Sequence, residues 1–369
     1  WLKFALSKCG LPPLTMFGSR WLPRGSPLLA AAAPSAVLGV HYERKQRYLC
    51  CKSPTPERRT DLLLPDHFRD DIKHYLKQDM PNFDVGAYVV GDQPATAKLL
   101  AKTDGMLAGV AFFDAVFEEL GCTVEWNVAE GVMVGPAHMK AGVAEGKKAN
   151  ADSFDASDQH FKGRAHIATV RGPTHKLLQG ERTALNILSR ASGIATETSR
   201  FVAITRSKGW HGEIAATRKI TPGFRAIEKY AVIVGGGSPH RMTLSDMTML
   251  KDNHVWASGG SIAAMVKKAR GVGGFSNKIE VECQSVEEAL EAAEAGAEVV
   301  MLDNFPPVEA KIAAAKLKHI YPHGLTVEVS GGMTKETFPE YLSEHVDVVS
   351  FGSLTHGYSN VDFSLKIVQ

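Results

Sequence analysis

The chain has 369 residues, 44% hydrophobic and 22% charged, with a formal net charge of +2. This is ordinary globular composition, and the length suits two domains or one barrel with a smaller partner. It argues against a nucleic-acid-binding basic protein, a disulfide framework and a bilayer-spanning chain: basic and acidic residues are interspersed beyond residue 60, the five cysteines show no C-x-x-C spacing, and no apolar run is long enough to cross a membrane.

Residues 1–60 hold ten Lys or Arg against Glu43 and Glu57, and a low-complexity run LLAAAAPSA at 28–36. A disordered extension or a mis-called gene start is the favoured reading, and an organellar transit segment is the alternative. No catalytic role is expected there. The cysteine usage points to a reducing compartment, so the cytoplasm is expected, with the nucleus left open.

Residues 61–178 read as a small α+β domain. LPDHFRDDIKHYLKQDM predicts a helix opening near Pro65-Asp66, with Ile72, Tyr75 and Leu76 on one face. FDVGAYVVG (83–91) reads as a strand. MLAGVAFFDAVFEELGC starts strand-like and runs into a helix ending at Gly121, and CTVEWNVAEG alternates like an antiparallel strand with one wet face. The polar segment 146–163 reads as an inserted surface loop.

From Gly180, GERTALNILSRASGIATETSRFVAITRSKGW predicts a long amphipathic helix with Leu185, Leu188, Ile194 and Val202 near one stripe. Arg182 falls in its first turn, where the helix dipole disfavours a cation unless it reaches toward an anion. Beyond Trp210, strands are expected at 212–216, 242–250, 278–283, 298–302, 325–330 and 346–352. The helical stretches SIAAMVKKAR, SVEEALEAAEAG, PPVEAKIAAAKLKHI and TKETFPEYLSE lie between them. About six repeated β–α units favour a parallel (β/α) barrel over residues 179–357, closed or nearly so, with an open doubly wound sheet as runner-up. Residues 358–369 are expected to return to the small domain.

Chemistry concentrates where these strands end. Arg218-Lys219, His240-Arg241 and Lys251 follow or flank successive strands. Such cations repel one another in one pocket unless an anion fills it, and arginine's planar fork favours a small planar dicarboxylate. Solvated loop charges are the ordinary alternative for any single pair. Glu282 and Asp303 suit a divalent cation shared with substrate phosphate, Glu280 points the same way two residues earlier, and pairing with the nearby cations is the structural alternative. VSGGM (329–333) reads as a Gly-rich turn into a helix from Thr334, able to cradle a phosphate through backbone N–H groups, with Gly352 and His356 on the following loop. VIVGGGSPH and GVAEGKK lack the spacing of a dinucleotide fingerprint and a P-loop. A dianion pocket, a carboxylate pair and a phosphate cradle on one rim suit transfer onto or from a phosphorylated sugar.

The motifs GERTALN (180–186), ATRKITPGFR (216–225), EKYAVIVGGG (228–237), HR (240–241), MLKDNH (249–254), IEVE (279–282), LDNF (302–305) and VSGG (329–332), in this order, resemble the quinolinate phosphoribosyltransferase family. The resemblance runs from about Leu63 to the C-terminus. It implies a small N-terminal α+β sandwich domain and a C-terminal (β/α) barrel of the type II phosphoribosyltransferase kind. It also implies conversion of quinolinate and phosphoribosyl pyrophosphate to nicotinate mononucleotide, pyrophosphate and CO2, with Mg2+. In that family pattern Arg218, Lys219, His240, Arg241 and Lys251 line the quinolinate pocket. Glu282 and Asp303 face ribose and metal, and act with Lys251 in catalysis. Ser330, Gly331, Gly332, Gly352 and His356 hold the 5-phosphate. Arg182 enters the neighbouring subunit's site in a dimer or hexamer. The last loop, THGYSN, departs from the serine that many members have after the histidine. A nicotinate phosphoribosyltransferase, a silent relative used for binding, and an aldolase-like barrel using Lys219 or Lys251 as a Schiff-base lysine are the rival readings.

Overall fold

The computed structural model describes residues 60–138 and 163–368. The basic extension before Thr60 and the polar loop before Gly163 lie outside the described residues. After a 3-10 turn at Thr60–Leu63, helix α1 (Phe68–Asp79) buries Phe68, Ile72 and Leu76 on one face. Residues 83–91, expected as a strand, instead form helix α2 (Val85–Val90). Asp84 caps it by accepting from the Ala87 N–H at 2.9 Å, and that local cap overrides the β preference of the valines.

Strands β1 (Pro94–Ala101) and β2 (Gly105–Met106) lead to helix α3 (Val110–Glu119), strands β3 (Thr123–Trp126) and β4 (Met133–Val134), and strand β5 (Ala165–Pro173). Neither β1 nor β5 is apparent from local sequence. Helix α4 (Thr174–Ser207) is 34 residues long and starts six residues earlier than expected. Arg182 therefore sits two turns in, and the first-turn dipole argument does not apply to it. The expected border at 178/179 falls inside this helix.

The remainder alternates: strand β6 (Glu213–Ala215), helix α5 (Arg225–Val234), strand β7 (Thr248–Leu250), helices α6 (Asp252–Ala257) and α7 (Ile262–Gly273), strand β8 (Ile279–Cys283), helix α8 (Val286–Glu294), strand β9 (Val299–Asp303), helix α9 (Pro307–Ile320), strand β10 (Thr326–Ser330), strand β11 (Val348–Ser350), helix α10 (Ser353–His356) and strand β12 (Phe363–Ile367). Two expectations fail here. The strand expected at 242–250 shrinks to Thr248–Leu250, because the Asp246 carboxylate accepts from the Met242 and Thr243 N–H groups and folds the preceding residues into a turn. TKETFPEYLSE is not a helix. Thr334 and Thr337 hydrogen-bond each other in a turn, and only Phe338–Glu340 forms a short 3-10 helix around Pro339.

β12, β1, β5 and β3 form an antiparallel sheet, covered by α1, α3 and the first half of α4. The six later strands form a parallel sheet in the order β6-β11-β10-β9-β8-β7. From β7 to β11 each strand neighbours its sequential partner, and β6 lies beside β11, which is barrel order; a doubly wound sheet reverses at a switch point. No ladder joins β6 to β7. A single bridge from Ala215 to Ser238 extends β6 instead, and residues 238–247 fill the seam. Val281, Val300, Leu302, Val327, Val329 and Val349 point outward into a core under α7–α9. The inward positions carry Glu280, Glu282, Asp303, Glu328, Ser330 and Ser350 by the strand register. Barrels ordinarily fill this interior with branched apolar side chains, so a polar interior needs a chemical reason.

Candidate active site

The carboxyl ends of the parallel strands gather the expected residues on one rim. Lys251 ends β7 and its Nζ donates to Glu282 at the end of β8. Asp303 ends β9, where its Oδ2 accepts from Gln284 at 3.2 Å and from Asn304 at 2.6 Å. Ser330 ends β10, and its Oγ lies 3.1 Å from that of Ser350 on β11.

The turn after β10 is tight. Gly331 has φ +100°, and a Cβ there would lie 2.7 Å from the Asn304 backbone nitrogen. No helix N-terminus follows, so the expected helix-dipole contribution is absent. What remains is a pair of glycines, Gly331 and Gly332, both with positive φ, a turn that only glycine adopts readily and that lets a ligand approach the backbone closely. Gly352 stands opposite, pressed so closely by Lys219 that a Cβ would meet its Cδ at 2.7 Å. The Thr355 hydroxyl donates to the Lys219 carbonyl at 2.6 Å, joining the two loops. His356 is exposed at the end of α10.

Of the basic groups, Arg218 and Arg241 lie close to each other. Burial first, then the Arg218 charge, lowers the Arg241 pKa, so these two guanidinium groups feel each other. Arg241 reaches only the Met247 carbonyl and the Met249 sulfur, each at 3.3 Å. Among the described residues, Arg218, Lys219 and Arg241 form no ion pair, whereas Lys251 does. Arg182 is exposed on α4 and apart from this group along the chain.

Beneath the cations lies an acidic layer of which only Glu280 was apparent in the sequence. Glu328 of β10 is 2% exposed and accepts from the Ser350 hydroxyl at 2.6 Å. His240 Nε2 lies 3.0 Å from Glu328 and 3.8 Å from Glu280. Glu280 is fully buried with neither oxygen hydrogen-bonded, and burial, then the Glu328 charge, raises its pKa well above the usual carboxylate range. His240, Glu280 and Glu328 bring ligand atoms within 4.8 Å of one another. They do not form a ready metal centre. The Arg241 N–H donates to His240 Nδ1 at 2.8 Å, so Nε2 carries the proton, aims it at Glu328 and has no lone pair for an ion. The signal for Glu328 was present: an acid at an inward position of an otherwise apolar strand, as in IEVE.

Helix α5 contributes two further residues that sequence reading missed, Glu228 and Lys229, both 0% exposed. Glu228 Oε1 accepts from Arg190 Nε and Nη2 at 2.9 and 2.6 Å, and its Oε2 accepts from the Thr221 N–H at 3.1 Å. Lys229 Nζ donates to the Pro239 carbonyl and, at 3.1 Å, to the Arg241 carbonyl.

Comparison with known proteins agrees with this architecture. The family model for the quinolinate phosphoribosyl transferase N-terminal domain matches residues 84–192, and that for its C-terminal domain matches residues 194–366. A nicotinate-nucleotide pyrophosphorylase [carboxylating] of Rattus norvegicus is 44% identical over 312 residues, 85% of this chain and 95% of the relative. The Homo sapiens protein of that name is 43% identical over 296 residues, 80% of this chain and 90% of the relative. The crystal structure of NadC from Streptococcus pyogenes superposes with a TM-score of 0.67 at 31% identity, covering 83% of this chain and 99% of that one. The chain belongs to the quinolinate phosphoribosyltransferase family.

Proposed function

We propose that this chain transfers a phosphoribosyl group to quinolinate with loss of CO2, giving nicotinate mononucleotide and pyrophosphate for NAD synthesis. The observation that carries this reading is that Arg218, Lys219 and Arg241 have no carboxylate partner among the described residues, beside a barrel whose inward positions carry acids. Two carboxylates on adjacent ring carbons supply the missing anions, and the single carboxylate of nicotinate leaves part of the set unmatched.

In this reading Arg218, Lys219, Arg241 and Lys251 hold both carboxylates, with His240 lining the pocket beside Arg241, and aim the ring nitrogen at the anomeric carbon. The ring nitrogen pair forms the new bond as the bond to pyrophosphate breaks, and the pyrophosphate oxygen takes that electron pair. Glu282 and Asp303 favour the positive character that develops on the ribose. The bond from ring C2 to its carboxylate then breaks. CO2 leaves, the electron pair stays at C2 beside the cationic ring nitrogen and the pocket's charges, and a solvent proton replaces it. Ser330, Gly331, Gly332, Gly352 and His356 hold the 5-phosphate. Glu282 and Asp303 fit Mg2+: hydrogen bonds reach Oε2 of one and Oδ2 of the other, leaving a second hard oxygen on each. When bound, the ion would neutralise charge on the departing pyrophosphate.

A second copy of the chain completes the site in this reading. Phe83, Val85, Tyr88 and Val89 expose an apolar face around α2, next to α4, since Gln179 donates to Asp84 at 3.1 Å. Arg182 is exposed one turn beyond Gln179 and serves the partner's pocket in a dimer or hexamer. Among the described residues no helix is long and apolar enough to cross a membrane, and the cytoplasm is the proposed compartment.

The test is to incubate the protein with Mg2+, phosphoribosyl pyrophosphate and either quinolinate or nicotinate, following mononucleotide and CO2. Product from quinolinate alone supports the reading. Product from nicotinate favours the single-carboxylate enzyme, and turnover of neither favours a silent relative.

A further inference from the structure

Lys229 is an unusual buried residue. Its ammonium is enclosed, has no carboxylate partner among the described residues, and lies near three other cations, Arg225, Arg218 and Arg241. Burial, then those charges, brings its pKa down to about 8. A methionine of similar length would fill the space with no desolvation cost, so packing does not account for an ammonium here. Its hydrogen bonds do. Nζ grips the carbonyls of Pro239 and Arg241, the residues on either side of His240. His240 has φ +54°, a left-handed conformation that a non-glycine side chain holds only when its surroundings enforce it. The peptide so twisted points His240 inward to Glu328 and places Arg241 beside Arg218. The residues 238–247 fill the unpaired seam between β6 and β7, so no strand ladder sets this geometry.

We propose that Lys229 is a positioning residue of the dicarboxylate pocket, clamping the backbone around His240 so that the imidazole stays locked on Glu328 and the Arg241 guanidinium faces the substrate. The proposal rests on the quinolinate reading above. Glu228, the preceding residue, holds the other side of the pocket through Thr221 in the Arg218-Lys219 loop. Lys229 touches neither the phosphate turn nor the carboxylate pair, so its effect belongs to one substrate.

The experiment compares wild type, Lys229→Met and Lys229→Gln, each alone and combined with Arg241→Ala, in steady-state assays that vary quinolinate and phosphoribosyl pyrophosphate separately. Lys229→Met is expected to raise KM for quinolinate by roughly tenfold or more and leave that for phosphoribosyl pyrophosphate within about twofold, with no fall in Tm. Lys229→Gln keeps an N–H donor without the charge and should recover part of the loss; it also carries the test should the methionine variant fail to fold. The Arg241→Ala penalty should shrink in the Lys229→Met background. Equal rises in both KM values, additivity with Arg241→Ala, or a glutamine variant as poor as the methionine one would overturn the proposal. Wild type that neither binds nor turns over quinolinate would overturn the functional reading, and this proposal with it.

Discussion

Arg241→Ala gives the most direct test of the pocket. Among the described residues its guanidinium hydrogen-bonds only the Met247 carbonyl and the Met249 sulfur, each at 3.3 Å, and it is opposed by Arg218. Removing it should therefore change stability by about 1 kcal/mol or less, in either direction. Against a carboxylate the same group makes charge-assisted hydrogen bonds worth about 1.5–3 kcal/mol each, so losing a bidentate pair should cost at least about 3 kcal/mol, or roughly 150-fold in kcat/KM for quinolinate. The ligand-induced stabilisation follows from this. Quinolinate at a hundred times the wild-type Kd stabilises the folded state by about 2.7 kcal/mol, and after a roughly 150-fold loss of affinity the same concentration gives only about 0.3 kcal/mol. Denaturant melts with and without quinolinate, together with steady-state kinetics, measure both quantities. A variant that keeps kcat/KM within about threefold, or keeps the full ligand-induced shift, would refute the assignment of Arg241 to the anion.

Other outcomes follow from separate parts of the molecule. Asp114 accepts from the Trp126 indole N–H at 2.7 Å, but burial raises its pKa from 3.8 to about 6. The folded state thus favours the proton: stability present below pH 3.8 is lost as pH rises toward about 6, leaving a cost of about 3 kcal/mol at neutral pH. Asp114→Asn should gain stability over wild type progressively from about pH 4 to 6 and then level off, and a flat difference across urea melts would contradict this. Gly331→Ala places a methyl 2.3 Å from Asn304 Oδ1 at φ +100°. It should cost about 1–3 kcal/mol and raise KM for phosphoribosyl pyrophosphate rather than quinolinate. Finally, co-expressing Arg182→Ala with Lys251→Ala should restore about a quarter of wild-type activity, since random pairing leaves one intact site in each mixed dimer. No recovery would remove Arg182 from the partner's site.

The barrel was legible because short valine- and isoleucine-rich runs recur between amphipathic helices at regular spacing, a signal that survives without tertiary context. The small domain was not. β1 reads PATAKLLA, with little strand preference of its own, and becomes a strand by pairing with β12 and β5 on both sides. At 83–91 the valine-rich run favoured a strand, while a single aspartate cap decided for a helix. The rim cations and carboxylates were found because each follows a strand. Glu228 and Lys229 were missed because adjacent charges on an amphipathic helix ordinarily face water, and only the tertiary packing of α5 buries them. Glu328 was passed over for the glycines that follow it.

Helix α4 spans roughly 50 Å as one rod. Its early residues, Leu177 to Ala195, are walls of the first core, and Phe201 and Val202 are walls of the second. Near the middle, Arg190 holds Glu228 and through it the loop that carries Arg218 and Lys219. In evolutionary terms the two halves are not exchangeable modules. A recombination point between them cuts the beam that both lean on, and a substitution that shifts the rod in the small domain moves an anchor of the anion pocket.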